Sequence, residues 1–124
     1  MPLFIFDFFQ NLCYNIVKKR KEKNIMDFEG FKFIFWTCAE QAERENDVEA
    51  WAEEQYIAGE DNVTATAALV TVLNHRCWYW YDNGNEELSY LYSELYYKYN
   101  NLAWDWLEKN GTDEEKHWYF ETLD

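Results

Sequence analysis

The residues able to do chemistry are few in this chain, and they are not spaced for catalysis. It has two histidines, His75 and His117, and its two serines, Ser89 and Ser93, fall on a predicted helix without a sharp nucleophile turn. Cys77 lies two residues from His75, and side chains two apart on a helix do not face each other. The four glycines are scattered and form no phosphate-binding loop. We therefore expect no enzymatic activity.

Metal-ligating residues are equally sparse. Glu114 and His117 form one Glu-x-x-His pair, the arrangement that supplies ligands in di-iron helical bundles. Those sites need two such pairs, and His75 has Val72 rather than an acid three residues before it. The three cysteines are widely spaced and include no Cys-x-x-Cys pair. We expect neither a metal nor any other cofactor, and the odd cysteine count favours a reduced, cytoplasmic setting.

The charge of the chain is strongly negative and unevenly distributed. The 124 residues include 24 acidic and 11 basic ones, a net charge of -13, of which residues 1–25 carry +3 and the remainder -16. Affinity for nucleic acid comes from lysine and arginine, so this balance argues against direct nucleic-acid binding and favours a basic protein partner. Because 21% of the residues are aromatic and only one is proline, the chain is expected to fold.

Residues 1–25 are predicted to form an amphipathic segment with a basic end, preceding an acidic helical domain over residues 26–124. The apolar run at 3–17 is too short to span a bilayer, and its positive charges follow it, unlike those of a signal peptide. Its polar residues recur at helical spacing, which indicates a helix that packs on the domain, with a membrane-surface anchor as the alternative. Met26 could be a second translation start.

The apolar pattern after residue 26 predicts an all-α fold, a compact bundle of about five helices. The predicted helices cover approximately residues 27–45, 47–58, 62–81, 85–110 and 113–123. The third is the least certain, because it is rich in β-branched residues and is followed by the turn signal Asp82-Asn83-Gly84. An α+β fold with a hairpin around residues 77–92 is the alternative.

Several helix ends have recognisable boundary residues. Asn46 with Glu49, and Thr112 with Glu115, have the spacing of capping boxes at helix starts. Gly59 is expected to supply a left-handed stop, and Gly111 is expected to end the fourth helix.

The fourth predicted helix has two apolar faces. One is a stripe at alternating spacings of four and three, made of Leu88, Tyr92, Leu95, Tyr99, Leu102 and Trp106. Tyr90, Tyr97 and Trp104 lie seven residues apart on nearly the opposite side. This pattern predicts either a helix sandwiched inside the domain or a surface of rings for dimerisation or partner binding.

Residues 40–61 hold nine acids and one base, Arg44. They could simply keep the protein soluble. Carboxylates three or four apart on a helix lie about 5–6 Å from each other, a distance of the same order as that between neighbouring phosphates, so such a face could occupy a basic nucleic-acid channel. The predicted partner-binding residues are the acids Glu43, Asp47, Glu49, Glu53 and Glu54 and the rings Trp51, Tyr90, Tyr97 and Trp104.

In size, acidity and aromatic content the chain resembles the inhibitors that bacteriophages and mobile elements use against host nucleases, among them anti-CRISPR and anti-restriction proteins. The resemblance is one of composition, and it implies an inhibitor or adaptor that occupies the nucleic-acid-binding surface of a DNA-processing enzyme. One alternative is a structural subunit, such as a homodimer, that assembles through the second aromatic face. Others are a small-molecule pocket lined by tryptophan and tyrosine, and a cation cage built from residues 78–82.

Overall fold

The computed structural model describes residues 27–123, so the predicted amphipathic segment of residues 1–25 and the start at Met26 lie outside the described residues. Within them the chain forms five helices and no strand. These are α1 (Phe28–Arg44), α2 (Val48–Ala58), α3 (Val63–Asp82), α4 (Glu86–Asn110) and α5 (Asp113–Leu123). The predicted all-α fold is confirmed, and the hairpin proposed for residues 77–92 is not formed.

Burial explains why α3 is a helix in spite of its β-branched residues. Six of the seven positions from Ala67 to Leu73 are buried, and the seventh, Thr71, is half-buried, so these two turns of helix are surrounded by other groups on most sides. Valine and threonine each disfavour a helix by about 0.7 kcal/mol at most relative to alanine. Packing of this kind outweighs that cost. No helix of residues 27–123 combines the length and apolarity needed to cross a membrane.

Backbone contacts divide the chain into two units, and the boundary falls inside α3, between Leu69 and Val70. In the first unit α1 packs on α2. Phe35 of α1 and Trp51 of α2 are both fully buried, with ring centroids 6.5 Å apart in an edge-to-face arrangement. Phe31 stacks on Phe35 at 6.0 Å. Phe31, Phe35 and Trp51 therefore form the aromatic part of the core of this unit.

The connection between α1 and α2 differs from the predicted capping box. Asn46 has a φ of +56°, and the amide N–H of Asp47 donates to the carbonyl of Ala42 over 3.0 Å. Asn46 is thus the left-handed residue that ends α1. Asparagine is the residue most often found in this position apart from glycine. The N-cap of α2 is Asp47, whose side chain makes no capping hydrogen bond. The capping box of Asn46 and Glu49 was therefore wrong.

Gly59 ends α2, but not as a left-handed residue, because its φ is -90°. The positive φ in this loop, +68°, belongs to Asp61. Space favours glycine at position 59 instead, since a Cβ there would lie at a tight 3.3 Å from the Cβ of Ala65 in α3. The side chain of Asn62 then accepts the amide N–H of Ala65 and so caps the start of α3.

The second unit contains the end of α3, α4 and α5. Gly84, with a φ of +79°, closes α3, and the amide N–H of Asn85 donates to the carbonyl of Trp80 over 2.9 Å. Asn85 is the N-cap of α4, and its side chain accepts the N–H of Leu88. The hydroxyl of Ser89 donates to the carbonyl of Cys77 over 3.0 Å, so the start of α4 lies against the end of α3.

The buried stripe of α4 starts as predicted and then shifts by one residue. Tyr92, Leu95 and Tyr99 are buried, but the stripe continues through Ala103 and Leu107. The expected continuation, Leu102 and Trp106, is exposed and half-buried, respectively. A repeat of 3.5 residues drifts by about 20° per heptad on a straight helix of 3.6 residues per turn. Two heptads therefore turn the predicted stripe by about 40°, nearly half of the roughly 100° between neighbouring residues, and beyond that point the next position lies closer to the buried face.

Helix α5 packs on α4 and begins with the predicted capping box. The amide N–H of Glu115 donates to the hydroxyl of Thr112, and the amide N–H of Thr112 donates to the carboxylate of Glu115. Tyr119 is the buried residue of α5, and its hydroxyl donates to the side chain of Asn100 over 3.0 Å.

Candidate functional site

The predicted acidic contact residues divide into two groups. Glu49 and Glu53 of α2 are exposed one helical turn apart, whereas Glu43, Asp47 and Glu54 are half-buried. Glu43 and Glu54 already interact with other groups of the chain. Glu49 and Glu53 are therefore the two predicted acids that the fold presents most openly.

Trp51 is not part of that surface. Its side chain is 0% exposed and packs edge-on against Phe35 of α1. A residue without exposed surface cannot contact a partner of the intact fold. The predicted role of Trp51 as a binding ring was therefore wrong, and the physical reason is that its position on α2 belongs to the core stripe of Val48, Trp51, Ala52 and Gln55.

Two buried polar groups of α2, the amide of Gln55 and the indole N–H of Trp51, were not predicted from the sequence. Gln55 is 1% exposed, and neither atom of its amide has a hydrogen-bond partner among the described residues. The indole N–H of Trp51, one helical turn before it, has no such partner either. A buried amide without hydrogen bonds costs about 1–3 kcal/mol. The only sequence signal was the position of Gln55, which follows Trp51 by four residues on the buried face.

Two of the three rings predicted on the second face of α4 are exposed. Tyr90 is 67% and Tyr97 is 62% exposed, so α4 is not sandwiched at these positions. Trp104 is half-buried and packs edge-on against Tyr119 of α5, with centroids 5.7 Å apart. The predicted face thus splits into two open rings and one ring that holds α5.

A carboxylate lies between the two open tyrosines. The side chain of Glu94, exposed and one turn after Tyr90, forms a hydrogen bond with the Tyr90 hydroxyl. That hydrogen bond and the negative charge of Glu94 raise the pKa of Tyr90 above its ordinary value of 10.0. The outer face of α4 therefore alternates ring, carboxylate and ring.

The end of α3 carries the most conspicuous group of rings. Trp78 and Tyr81 are 57% and 66% exposed, and their centroids lie 5.5 Å apart with an interplanar angle of 75°. A second perpendicular pair, Tyr79 and Trp80, has centroids 5.0 Å apart. The guanidinium of Arg76 lies 4.5 Å from the Tyr79 centroid and 5.6 Å from that of Trp80. The predicted cage of residues 78–82 is therefore two ring pairs, one of which already holds a cation.

The exposed charges around this end of α3 are negative. Asp82, Glu86 and Glu87 are exposed at the end of α3 and the start of α4. Residues 77–97 contain no lysine, arginine or histidine. The contact of Ser89 with Cys77 keeps the start of α4 beside the last turns of α3, so these carboxylates and rings share one end of the helix pair.

The single Glu-x-x-His pair does not form a metal site in the described chain. The imidazole Nε2 of His117 lies 3.0 Å from a carboxylate oxygen of Glu121, one turn further along α5, and both side chains are exposed. Among residues 27–123 no group of three or more histidine, cysteine or acidic side chains is arranged to hold a metal ion.

Comparison with known proteins gives no indication of the function of this chain. No protein family matches the sequence, and no curated protein and no solved structure matches it.

Proposed function

We propose that this chain is a non-enzymatic inhibitor or adaptor that binds a basic protein surface, such as the nucleic-acid groove of a nuclease or another DNA-processing enzyme. The observation that carries the proposal is the open pair Glu49 and Glu53 on α2. They lie within a stretch of nine acids and one base. Two carboxylates one turn apart on a rigid helix stand about 5–6 Å from each other. A groove that binds successive phosphates can accept them.

Charge and rings have separate tasks in this proposal. The net charge of -16 on residues 26–124 accelerates the encounter with a basic partner and is screened by salt. The open rings Tyr90 and Tyr97 provide contact area that salt does not weaken, and tyrosine is one of the residues in which binding energy concentrates. Affinity should therefore fall steeply, but not completely, as salt concentration rises.

The test is affinity capture with the tagged full chain from its native cell at low salt, followed by a salt gradient and identification of bound proteins. We expect one basic nucleic-acid-handling protein, released by salt and by competing DNA. The double variant E49Q/E53Q should elute at lower salt than the unmodified chain. The double variant E108Q/E114Q makes the same change in net charge at exposed positions of α4 and α5 and serves as the matched control.

Two results would contradict the proposal. Retention that does not change between low and high salt would remove its electrostatic part. Equal elution of E49Q/E53Q and E108Q/E114Q would show that total charge acts without the α2 pair.

A second candidate function, a self-assembling structural subunit, is favoured by the exposure of Tyr90 and Tyr97 on one helix face. In that case the double variant Y90S/Y97S should reduce the mass of the particle in solution, measured by light scattering. Trp104 is left unchanged because its ring packs on Tyr119, and its removal would disturb α5. An unchanged mass in Y90S/Y97S would exclude assembly through this face.

A further inference from the structure

We propose that the corner formed by Trp78 and Tyr81 at the end of α3 binds an arginine side chain of the partner. The identification of this partner as a basic protein rests on the proposed function, whereas the recognition of a guanidinium rests on the corner itself. We refer to this pair of rings as the Trp78–Tyr81 corner.

The first argument is the geometry of the corner. Its two rings are nearly perpendicular, at 75°, with centroids 5.5 Å apart, and each has more than half of its surface exposed. A cation gains attraction from an aromatic ring when it lies within about 6 Å of the ring centroid. Because the two centroids are only 5.5 Å apart, one planar cation can lie within about 6 Å of both rings.

The second argument is that the same helix already shows what such a pair holds. Tyr79 and Trp80 are also perpendicular, at 84° and 5.0 Å, and the Arg76 guanidinium lies within 6 Å of both centroids. Arg76 is only 2% exposed, so this cation is kept out of water among rings. The two pairs differ mainly in that one already holds the chain's own arginine, while the rings of the other are more exposed.

The third argument is the charge around the corner. Trp78 and Tyr81 belong to the last turn and a half of α3, where the helix dipole favours a cation. Asp82, Glu86 and Glu87 are exposed at the same end, and residues 77–97 offer no basic side chain of their own. A partner cation would therefore meet rings and carboxylates together, without a competing lysine or arginine from this segment.

The chemistry selects arginine over lysine. A guanidinium is planar, weakly hydrated and able to stack on rings while it donates to carboxylates, whereas an ammonium is compact and strongly hydrated. A second copy of the acidic domain is a poor occupant, because its residues 26–124 carry a net charge of -16 and repel one another.

The experiment follows the indole N–H resonance of Trp78 by NMR in the full chain, assigned by its loss in Trp78→Phe. The probe is a capped Gly-Arg-Gly-Arg-Gly peptide, and the matched control is Gly-Lys-Gly-Lys-Gly, which has the same charge. We expect a saturable shift of the Trp78 resonance with the arginine peptide and an affinity about threefold lower for the lysine peptide.

Two variants locate the effect. Tyr81→Leu should weaken binding of the arginine peptide about threefold or more, while Phe120→Leu, which removes a similarly exposed ring from α5, should leave it unchanged. Both side chains lie at the surface, so both variants should fold. Equal binding of the two peptides, or equal effects of the two variants, would overturn the proposal.

The remaining outcomes separate the occupants. Changes of the Trp78 resonance with protein concentration, without peptide, would assign the corner to a second copy and overturn the proposal. The basic end of residues 1–25 contains one arginine, Arg20. A shift of the Trp78 resonance caused by Arg20→Gln without peptide would assign the corner to an arginine of this chain and also overturn the proposal. Arginine-specific binding at Trp78 without capture of any basic protein from cells would support the corner while contradicting the proposed function. Capture of a basic protein that is unaffected by Tyr81→Leu would support the proposed function while contradicting the role of the corner.

Discussion

Helices α2 and α4 both show carboxylates to the outside, but they differ in what stands beside those carboxylates. On α2, Glu49 and Glu53 are followed one turn later by the exposed Ile57. On α4, Glu94 lies between the open rings Tyr90 and Tyr97. Carboxylates without rings attract a cationic partner over a distance that salt shortens to about 8–10 Å. Rings beside carboxylates add short-range contact area that depends on shape.

Both helices also bury aromatic side chains on their inner faces. The inner face of α2 buries a tryptophan and a glutamine whose polar atoms have no hydrogen-bond partner among the described residues. The inner face of α4 buries Tyr92, Leu95 and Tyr99 along a regular stripe. Aromatic residues therefore have different roles: Trp51 of α2 is core, whereas Tyr90 and Tyr97 of α4 lie at the surface.

The largest effect is expected from removing the buried ring of α2. Trp51→Ala should lower the free energy of unfolding by about 3–5 kcal/mol, because it leaves a cavity against Phe35. Tyr97→Ala, the matched loss of a ring on the outside of α4, should change it by less than about 0.5 kcal/mol. Urea unfolding followed by circular dichroism measures both. Similar losses for the two variants would erase the distinction between the faces.

A gain of stability is expected when the buried amide of α2 is removed. Gln55→Met keeps nearly the same volume and replaces an amide without hydrogen bonds, so the free energy of unfolding should rise by about 1 kcal/mol. Thermal unfolding by calorimetry provides the measurement. A clear loss of stability in Gln55→Met would mean that the amide makes hydrogen bonds in solution.

The helix starts should respond differently to alanine. Asn85→Ala at the start of α4 removes the side-chain acceptor of the Leu88 N–H and should cost about 1 kcal/mol. Asp47→Ala at the start of α2 removes no capping hydrogen bond, so only its favourable charge at the helix N-terminus is lost, about 0.5 kcal/mol or less. Equal costs in urea unfolding would show that Asp47 caps α2 after all.

The smallest effect concerns the titration of Tyr90. Its pKa is raised above 10.0 in the folded chain, because the neutral phenol donates to Glu94 and the phenolate would be repelled by that carboxylate. The contact therefore contributes stability below pH 10.0, the value expected on unfolding, and the contribution is lost as pH rises through the folded pKa. Glu94→Gln should lower the pKa of Tyr90 towards its ordinary value, as measured by NMR of the ring carbons. An unchanged pKa would show that Glu94 does not bind the hydroxyl.

Much of the fold could be predicted because it depends on local spacing. Apolar residues recurring every three or four positions indicated all five helices of the described chain, and the spacing of Thr112 and Glu115 indicated the capping box of α5. The connections were harder. Asn46 can either begin a helix or end one in the left-handed conformation, and its neighbours in sequence do not distinguish the two.

The candidate surfaces could be predicted only in part. Glu49, Glu53, Tyr90 and Tyr97 are exposed as a binding role requires, but nothing local distinguished the ring of Trp51 from that of Tyr97. Each ring has apolar and polar neighbours at helical spacing, and its burial depends on whether another helix packs over it.

The sequence by itself determined the helices, their approximate ends and the excess of negative charge, because periodicity, caps and composition are properties of neighbouring residues. Tertiary structure decided which aromatic side chains are buried and which acids are exposed. It also decided that the guanidinium of Arg76 lies over the rings of Tyr79 and Trp80, while Trp78 and Tyr81 are exposed. Those outcomes depend on packing between residues distant in the chain and on the relative rotation of each helix. A pattern of three and four residues does not specify that rotation when, as in α4, apolar residues occupy two faces.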